Sequence, residues 1–131
     1  MARTIEAILR ESKTIAVVGL SSDPLRASYG VSEYMQARGY RIIPVNPKET
    51  EVLGEKAYAR LEDIPEPVDI VNVFRRPLQT PEVAKSAVAI GAKVLWLQLE
   101  IVNEEAAAIA TGGGLDVVMD RCILVEHRKI R

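Results

Sequence analysis

The sequence predicts an α/β fold of three layers, in which helices cover both faces of a five-stranded parallel sheet. Five short runs rich in β-branched residues alternate with segments whose apolar residues have helical spacing. The first and fourth runs, and most of the third, are apolar throughout, as expected of strands that are covered on both faces. The five runs span residues 14–19, 40–45, 69–74, 93–97 and 115–119.

Helices are predicted between these runs. Thr4 and Asn103 have side chains that can cap a helix, and Thr80 followed by Pro81 marks another helix start. Gly39 follows the second helix, where a glycine commonly ends one. The predicted helices span residues 4–12, 29–38, 80–91 and 103–112, with a short last helix after residue 120.

The stretch from residue 46 to residue 67 contains three prolines and no long periodicity. It is predicted to be a crossover with a turn near residues 53–55 and one helical turn at residues 60–63. Because crossovers between parallel strands are right-handed, we expect a doubly wound sheet with strand order 3-2-1-4-5. A ligand would then lie at the carboxyl ends of strands one and four. No boundary interrupts residues 1–131, which are expected to form a single domain.

Composition excludes several classes of protein. The 131 residues include 17 Lys and Arg against 18 Asp and Glu, a net charge of −1 that gives no footprint for nucleic acid or an anionic membrane. No uncharged stretch approaches the roughly 20 apolar residues of a membrane span, and the first residues lack a secretory signal. The single cysteine, Cys122, cannot form an internal disulfide, which suits a cytoplasmic protein. With one His and one Cys, no zinc site is expected.

A long, hydroxyl-rich loop follows the first predicted strand and leads into a helix. It lacks the G-x-G-x-x-G spacing of dinucleotide dehydrogenases. The N-terminus of a helix offers unpaired N–H groups and a partial positive charge, which suit a phosphate group. The alternative is that the serines cap the helix and that the arginine is a solvated loop charge. The candidate phosphate-binding residues are Gly19, Ser21, Ser22, Arg26, Ser28 and Tyr29.

The second strand is followed by Asn46, Pro47 and Lys48. A site for NAD normally has Asp or Glu there to accept hydrogen bonds from the ribose hydroxyls. An amide and a cation instead argue against NAD and suit a phosphorylated ribose. The alternative is an ordinary Asn-Pro turn with an exposed lysine.

The third strand ends in Val73 and Phe74, followed by Arg75 and Arg76. The arginines would face the same crevice as the cations of the first two loops, and Phe74 or Val73 could lie against an adenine ring. The alternative is that the arginines are loop charges and Phe74 is part of the core. After the fourth strand, Gln98 offers a neutral hydrogen-bonding group beside the ligand.

The sequence has no visible catalytic constellation. The only histidine, His127, lies among charged residues near the end of the chain and is expected to be exposed. Neither a G-x-S-x-G nucleophile motif nor a phosphate-binding G-x-x-x-x-G-K motif occurs. The residues therefore favour a site that binds a ligand with several phosphates over one that converts it.

Together, these segments resemble those of small CoA-binding proteins related to the N-terminal CoA-binding domain of the succinyl-CoA synthetase alpha subunit. The resemblance covers residues from about 12 to 126. It is carried by residues 15–21 (IAVVGLS), 43–47 (IPVNP), 67–71 (PVDIV), 73–76 (VFRR), 96–98 (WLQ) and 118–122 (VMDRC).

This resemblance implies a Rossmann-like fold that binds coenzyme A or acyl-CoA at the strand ends. It assigns the phosphates to the first loop, the ribose or its 3′-phosphate to residues 46–48, and the adenine side to residues 73–75. It directs Gln98 towards the pantetheine, although Glu100 stands where the family often has a small residue. The phosphorylated histidine of the synthetase lies in a second domain that this chain lacks, so the resemblance implies binding and not ligation.

Several alternatives remain open from the sequence. The chain could be an NADP-linked or other nucleotide-dependent enzyme, or the subunit of an acyl-CoA ligase whose nucleophile comes from another chain. A protein partner or a homo-oligomer is also left open. Cys122 could hold CoA as a mixed disulfide if its thiol opens onto the crevice.

Overall fold

The computed structural model describes residues 2–131 and contains one five-stranded parallel sheet with helices on both faces. Its strands are β1 (Thr14–Val18), β2 (Arg41–Val45), β5 (Ile70–Val73), β6 (Val94–Leu97) and β7 (Asp116–Val118). A separate antiparallel hairpin consists of β3 (Glu51–Val52) and β4 (Glu55–Lys56). The predicted Rossmann-like α/β class is confirmed, and each predicted run contains one strand of the sheet.

The helices form two layers around the sheet. They are α1 (Ile5–Glu11), α2 (Ala27–Ala37), α3 (Thr80–Ala89), α4 (Glu104–Gly112) and α5 (Ile123–Ile130). The first, second and fifth helices pack on one face, and the third and fourth pack on the other. None of the helices within residues 2–131 combines the length and the apolar character needed to cross a bilayer.

Side chains of the central strands alternate between the two layers. In β1, Ile15 and Val17 belong to the core beneath α1, α2 and α5, whereas Ala16 and Val18 belong to the core beneath α3 and α4. Both cores are buried, so every position in the strand has to be apolar. This explains the continuous apolar runs in the sequence.

The strand order differs from the predicted one. The sheet runs β2-β1-β5-β6-β7, so the third long strand lies beside the first instead of beyond the second. Right-handed crossovers satisfy both orders. The observed pairing is held at its start by Asp69, whose carboxylate accepts hydrogen bonds from the N–H groups of Lys13 (2.8 Å) and Thr14 (3.0 Å). The order therefore reverses between β1 and β5, and the expected ligand position at strands one and four moves to these two strands.

Most predicted helix and turn signals are confirmed. Thr4 caps α1 by accepting a hydrogen bond from the Ala7 N–H group, and Asn103 caps α4 in the same way. Thr80 is instead the first residue of α3, because a 3-10 turn (Pro77–Gln79) precedes it. The crossover contains the predicted turn, between β3 and β4, and the predicted helical turn, a 3-10 turn at Leu61–Asp63.

Candidate functional site

The tails of β2, β1 and β5 run together at one edge of the sheet. The Gly19 N–H group donates to the Val45 carbonyl oxygen (2.8 Å), and the Phe74 N–H group donates to the Val18 carbonyl oxygen (2.8 Å). Gly19 has a φ of +90°, and a Cβ atom at this position would collide with the backbone oxygen of Phe74. Only glycine fits such a close backbone crossing, which turns the chain out of the sheet towards α2.

A cleft of about 430 Å³ opens at these strand tails. All of its lining residues except Ala27 and Glu49 are candidates from the sequence. The lining consists of Gly19, Ser21, Arg26, Ala27, Ser28, Asn46, Lys48, Glu49, Phe74 and Arg75. The two loops and the strand end that were expected to share a crevice therefore do so.

The cleft has an excess of positive charge. It is lined by Arg26, Lys48 and Arg75 against a single carboxylate, Glu49. Arg26 lies 3.9 Å from the exposed carboxylate of Asp23, whereas Lys48 and Arg75 form no ion pair within the described residues. The charges of Lys48 and Arg75 are thus available to an anionic ligand.

The serines of the first loop shape it as well as line the cleft. Ser28 is buried, and its hydroxyl accepts a hydrogen bond from the Ser21 N–H group (3.1 Å). The Ser21 hydroxyl in turn accepts one from the Asp23 N–H group (3.0 Å). Arg26 is the N-cap of α2 without a side-chain capping bond. In the described part of the chain, the N–H groups of Ala27 and Ser28 have no acceptor, which is the arrangement that suits an anion.

Ser22 is engaged by a residue that the sequence analysis missed. Its N–H group and its hydroxyl both donate to Oε2 of Glu49, at 2.9 and 3.0 Å. This contact joins the loop after β1 to the loop after β2. The signal in the sequence is an acidic residue directly after Lys48, but its spacing does not reveal a partner 27 residues away.

Asn46 organises the loop after β2. Its side-chain amide is buried, donates to the Leu20 carbonyl oxygen (3.1 Å) and accepts from the Lys48 N–H group (3.0 Å). Pro47 lies exposed in the turn. The alternative of an Asn-Pro turn is therefore correct for Asn46, and the turn directs Lys48 to the cleft.

Six of the candidate residues do not line this cleft: Ser22 and Pro47, described above, and four others. Val73 is fully buried in the core, and Tyr29 packs against the opposite core. Arg76 is exposed at the start of the 3-10 turn after β5. Gln98 is 4% exposed, and its Oε1 atom accepts from the Ile123 N–H group (3.0 Å), which caps α5. Val73, Tyr29 and Gln98 thus have structural roles, and a part of these residues or of Arg76 in ligand binding stays a prediction.

A second cleft of about 350 Å³ shares Arg75 with the first. It lies on the side of α3, and its other lining residues are Val18, Val45, Ala59, Arg60, Leu61, Glu62, Glu82, Val83 and Ser86. A hydrogen bond with Ser86 lowers the pKa of Glu62 below its ordinary value. Arg75 therefore stands between two concave surfaces, neither of which contains a histidine or cysteine.

His127 is not exposed as expected. Its ring is half-buried near the amino edge of the sheet and meets Tyr34 and Tyr40 edge-on, with Nδ1 3.0 Å from the Tyr34 hydroxyl. Burial, together with the charges of Arg38, Arg131 and Arg10, lowers its pKa. It belongs to a packed cluster remote from the candidate site.

Cys122 is the half-buried N-cap of α5 and lines neither cleft. It follows β7, which is three strands from β1, so the two strand tails are roughly 14 Å apart at the usual spacing of about 4.8 Å. A mixed disulfide with the far end of a long ligand therefore stays a prediction.

Comparison with known proteins connects this geometry to a family. Residues 13–128 match the family model described as "CoA binding domain". The uncharacterized Bacillus subtilis protein YneT is 52% identical over 123 residues, which cover 94% of this chain and 91% of that protein. A hypothetical protein from Pyrococcus horikoshii has a solved structure that superposes with a TM-score of 0.94 at 41% identity, over 96% of this chain and 89% of its own.

One relative has a described activity. The alpha subunit of the ADP-forming acetate–CoA ligase II of Pyrococcus furiosus is 42% identical over 60 residues. That match covers 45% of this chain but only 13% of the ligase subunit.

Proposed function

Because this chain belongs to the CoA-binding domain family, we propose that it binds coenzyme A or acyl-CoA in the cleft at the tails of β1, β2 and β5. The observation that carries the proposal is the charge of this cleft, where Lys48 and Arg75 face an uncapped helix N-terminus without ion-pair partners among the described residues. Coenzyme A has a pyrophosphate and a ribose 3′-phosphate, and both favour such an environment.

In the proposed complex, different parts of the cleft bind different parts of the ligand. The loop of Ser21 and Ser22 and the first N–H groups of α2 bind the pyrophosphate. Lys48 and Arg75 bind the 3′-phosphate, and Phe74 lies beside the adenosine. These residues recognise the nucleotide end, which free CoA and acyl-CoA have in common.

We propose a binding module that performs no chemistry on its ligand. The cleft is lined by hydroxyl groups, cations and one carboxylate, a set that lacks the paired acid and base needed for proton transfer. In this proposal residues 1–131 act as one domain in the cytoplasm, and CoA is carried or sensed.

A ligand panel tests this function. Thermal unfolding is followed with CoA, dephospho-CoA, NADPH and ATP at equal concentrations. CoA at about 100 times its Kd stabilises the folded protein by about 2.7 kcal/mol, a shift of several degrees. Dephospho-CoA gives a smaller shift because it lacks the phosphate assigned to Lys48 and Arg75. The absence of a shift with millimolar CoA contradicts the proposal, and a larger shift with NADPH favours a nucleotide-dependent enzyme instead.

A second candidate is a subunit that presents CoA to a partner chain holding the nucleophile of an acyl-CoA ligase. It is favoured by exposed leucines on the loops after β1, β5 and β6, since Leu25 and Leu78 are 93% and 91% exposed and Leu99 lies at the same edge. Exposed apolar side chains that border a binding cleft are typical of a surface covered by another protein.

This candidate requires a second chain that copurifies in a fixed ratio and forms acyl-CoA only in the presence of this one. The double variant Leu25→Ser, Leu78→Ser should lose the second chain while it retains CoA binding. A wild-type chain that purifies alone, and behaves like the variant, contradicts the candidate.

A further inference from the structure

Glu49 occupies the cleft in the way that a phosphate group would. Its Oε2 atom accepts hydrogen bonds from the N–H group (2.9 Å) and the hydroxyl (3.0 Å) of Ser22. A backbone N–H group and a hydroxyl on the loop before a helix are donors that phosphate oxygens use. The carboxylate therefore satisfies donors that the proposed function assigns to the ligand.

Two anions do not share these donors. A phosphate oxygen at hydrogen-bond distance from Ser22 would lie within a few ångströms of the Glu49 carboxylate, and like charges at that separation repel strongly in a partly desolvated cleft. Glu49 also offsets part of the attraction that Arg26, Lys48 and Arg75 exert. Its side chain thus opposes anion binding both by occupancy and by charge.

The loop does not depend on Glu49 for its shape. Asn46 closes the turn through Leu20 and Lys48, and its own N–H group donates to the Tyr58 carbonyl oxygen (2.9 Å). The Glu49 side chain is half-buried at the cleft and bonds only to Ser22 among the residues described. It can rotate away while the backbone of the turn stays in place.

We propose that Glu49 is an internal competitor that fills a phosphate position of the cleft and has to release Ser22 before the ligand binds. This inference rests on the proposed function. It makes Glu49 a selectivity residue, because a ligand with several phosphates gains enough from the three cations to displace the carboxylate, whereas a ligand without phosphates does not.

The test compares Glu49→Gln and Glu49→Ala with wild type in calorimetric titrations of CoA. Both variants remove the negative charge, so both should bind CoA roughly 3- to 30-fold more tightly than wild type at low salt. Their thermal midpoints without ligand should fall slightly, since Ser22 loses a charged acceptor. A gain in affinity with a loss of stability is not expected of a residue that only supports the fold.

Glu51→Gln is the matched control. Glu51 is exposed in β3, two residues away, and does not line the cleft. The Glu51→Gln variant should bind CoA with the same affinity as wild type. The higher CoA affinity of the Glu49 variants should become smaller at about 1 M salt, because salt screens exposed charges.

The outcomes separate this inference from the proposed function. If wild type binds CoA and the Glu49 variants bind equally or more weakly, the competitor role is overturned, and weaker binding means that the carboxylate contacts the ligand. If neither wild type nor variants bind CoA, the proposed function fails and the inference with it. Binding by the variants alone supports the competitor role of Glu49 but contradicts the proposed function of the wild-type chain.

Discussion

The two edges of the sheet use their charged residues differently. At the amino edge, two arginines are paired: Arg3 lies 2.8 Å from Asp116, and Arg41 lies between Glu66 and Glu55. At the carboxyl edge, Lys48 and Arg75 line a cleft without ion pairs in the part of the chain that the structure describes. One edge uses charge to fasten the fold, and the other keeps charge available for a ligand. The net charge of the chain does not reveal this difference between the edges, because it does not depend on where each cation lies.

The largest effect should come from the backbone crossing that builds the carboxyl edge. Gly19→Ala places a Cβ atom against the Phe74 carbonyl group at a φ of +90°. We expect the free energy of unfolding, measured with urea, to fall by about 2–4 kcal/mol. Gly30→Ala is the control: Gly30 is helical with no neighbouring atom within 4 Å, so stability should rise by about 0.5–1 kcal/mol. Equal changes in the free energy of unfolding for both variants would contradict the role of Gly19 in the backbone crossing.

A smaller effect, confined to binding, should follow from neutralising a cation at the cleft. Lys48→Gln and Arg75→Gln should each weaken CoA binding about tenfold, because each removes a charge-assisted contact to phosphate. Their unfolding midpoints should stay close to that of wild type. Lys13→Gln removes the same charge at the amino edge and should leave the Kd unchanged; equal weakening by Lys13→Gln would mean that only overall charge matters.

The opposite result is expected for a paired cation at the amino edge. Arg41→Gln removes the ion pairs with Glu66 and Glu55, which raise the pKa of Arg41 and lower that of Glu66. The arginine side chain is 43% exposed, so solvent screens these pairs and the loss of stability should be about 1 kcal/mol or less. CoA affinity, measured by calorimetry, should not change. A higher Kd for the Arg41→Gln variant would contradict the view that the paired cations at the amino edge serve only the fold.

The smallest effect concerns pH. The pKa of His127 is lowered in the folded protein, so the unfolded chain takes up the proton first as the pH falls through 6.5. The contribution of the neutral His127 ring to the free energy of unfolding is fully present above pH 6.5 and decreases below it. The thermal midpoint should therefore fall between about pH 7.5 and pH 5.5, and His127→Phe should flatten this slope. As a control, the CoA affinity of the His127→Phe variant should equal that of wild type.

The sequence predicted most of the elements because their signals are local. Continuous apolar runs marked the strands, and Thr4 and Asn103 marked helix starts through hydrogen bonds three residues away. Strand order is not local. The position of β5 beside β1 depends on contacts such as that of Asp69 with Thr14, which are 55 residues apart.

Prediction of the site succeeded and failed for a similar reason. The cations and Gly19 could be assigned from their positions after strands, since strand tails meet at one edge. The partners of polar side chains could not be assigned in the same way. Gln98 is used to cap α5, and Glu49 is drawn into the cleft by Ser22, and both contacts exist only once distant loops come together.

The two hydrogen bonds of the Asn46 side-chain amide have a consequence for how fast and how selectively a ligand binds. Because these contacts hold the peptide that presents Lys48, association should require little ordering of this segment and lose little conformational entropy. Discrimination among ligands then comes from rigid complementarity, and the only rearrangement needed at this turn is the rotation of one side chain.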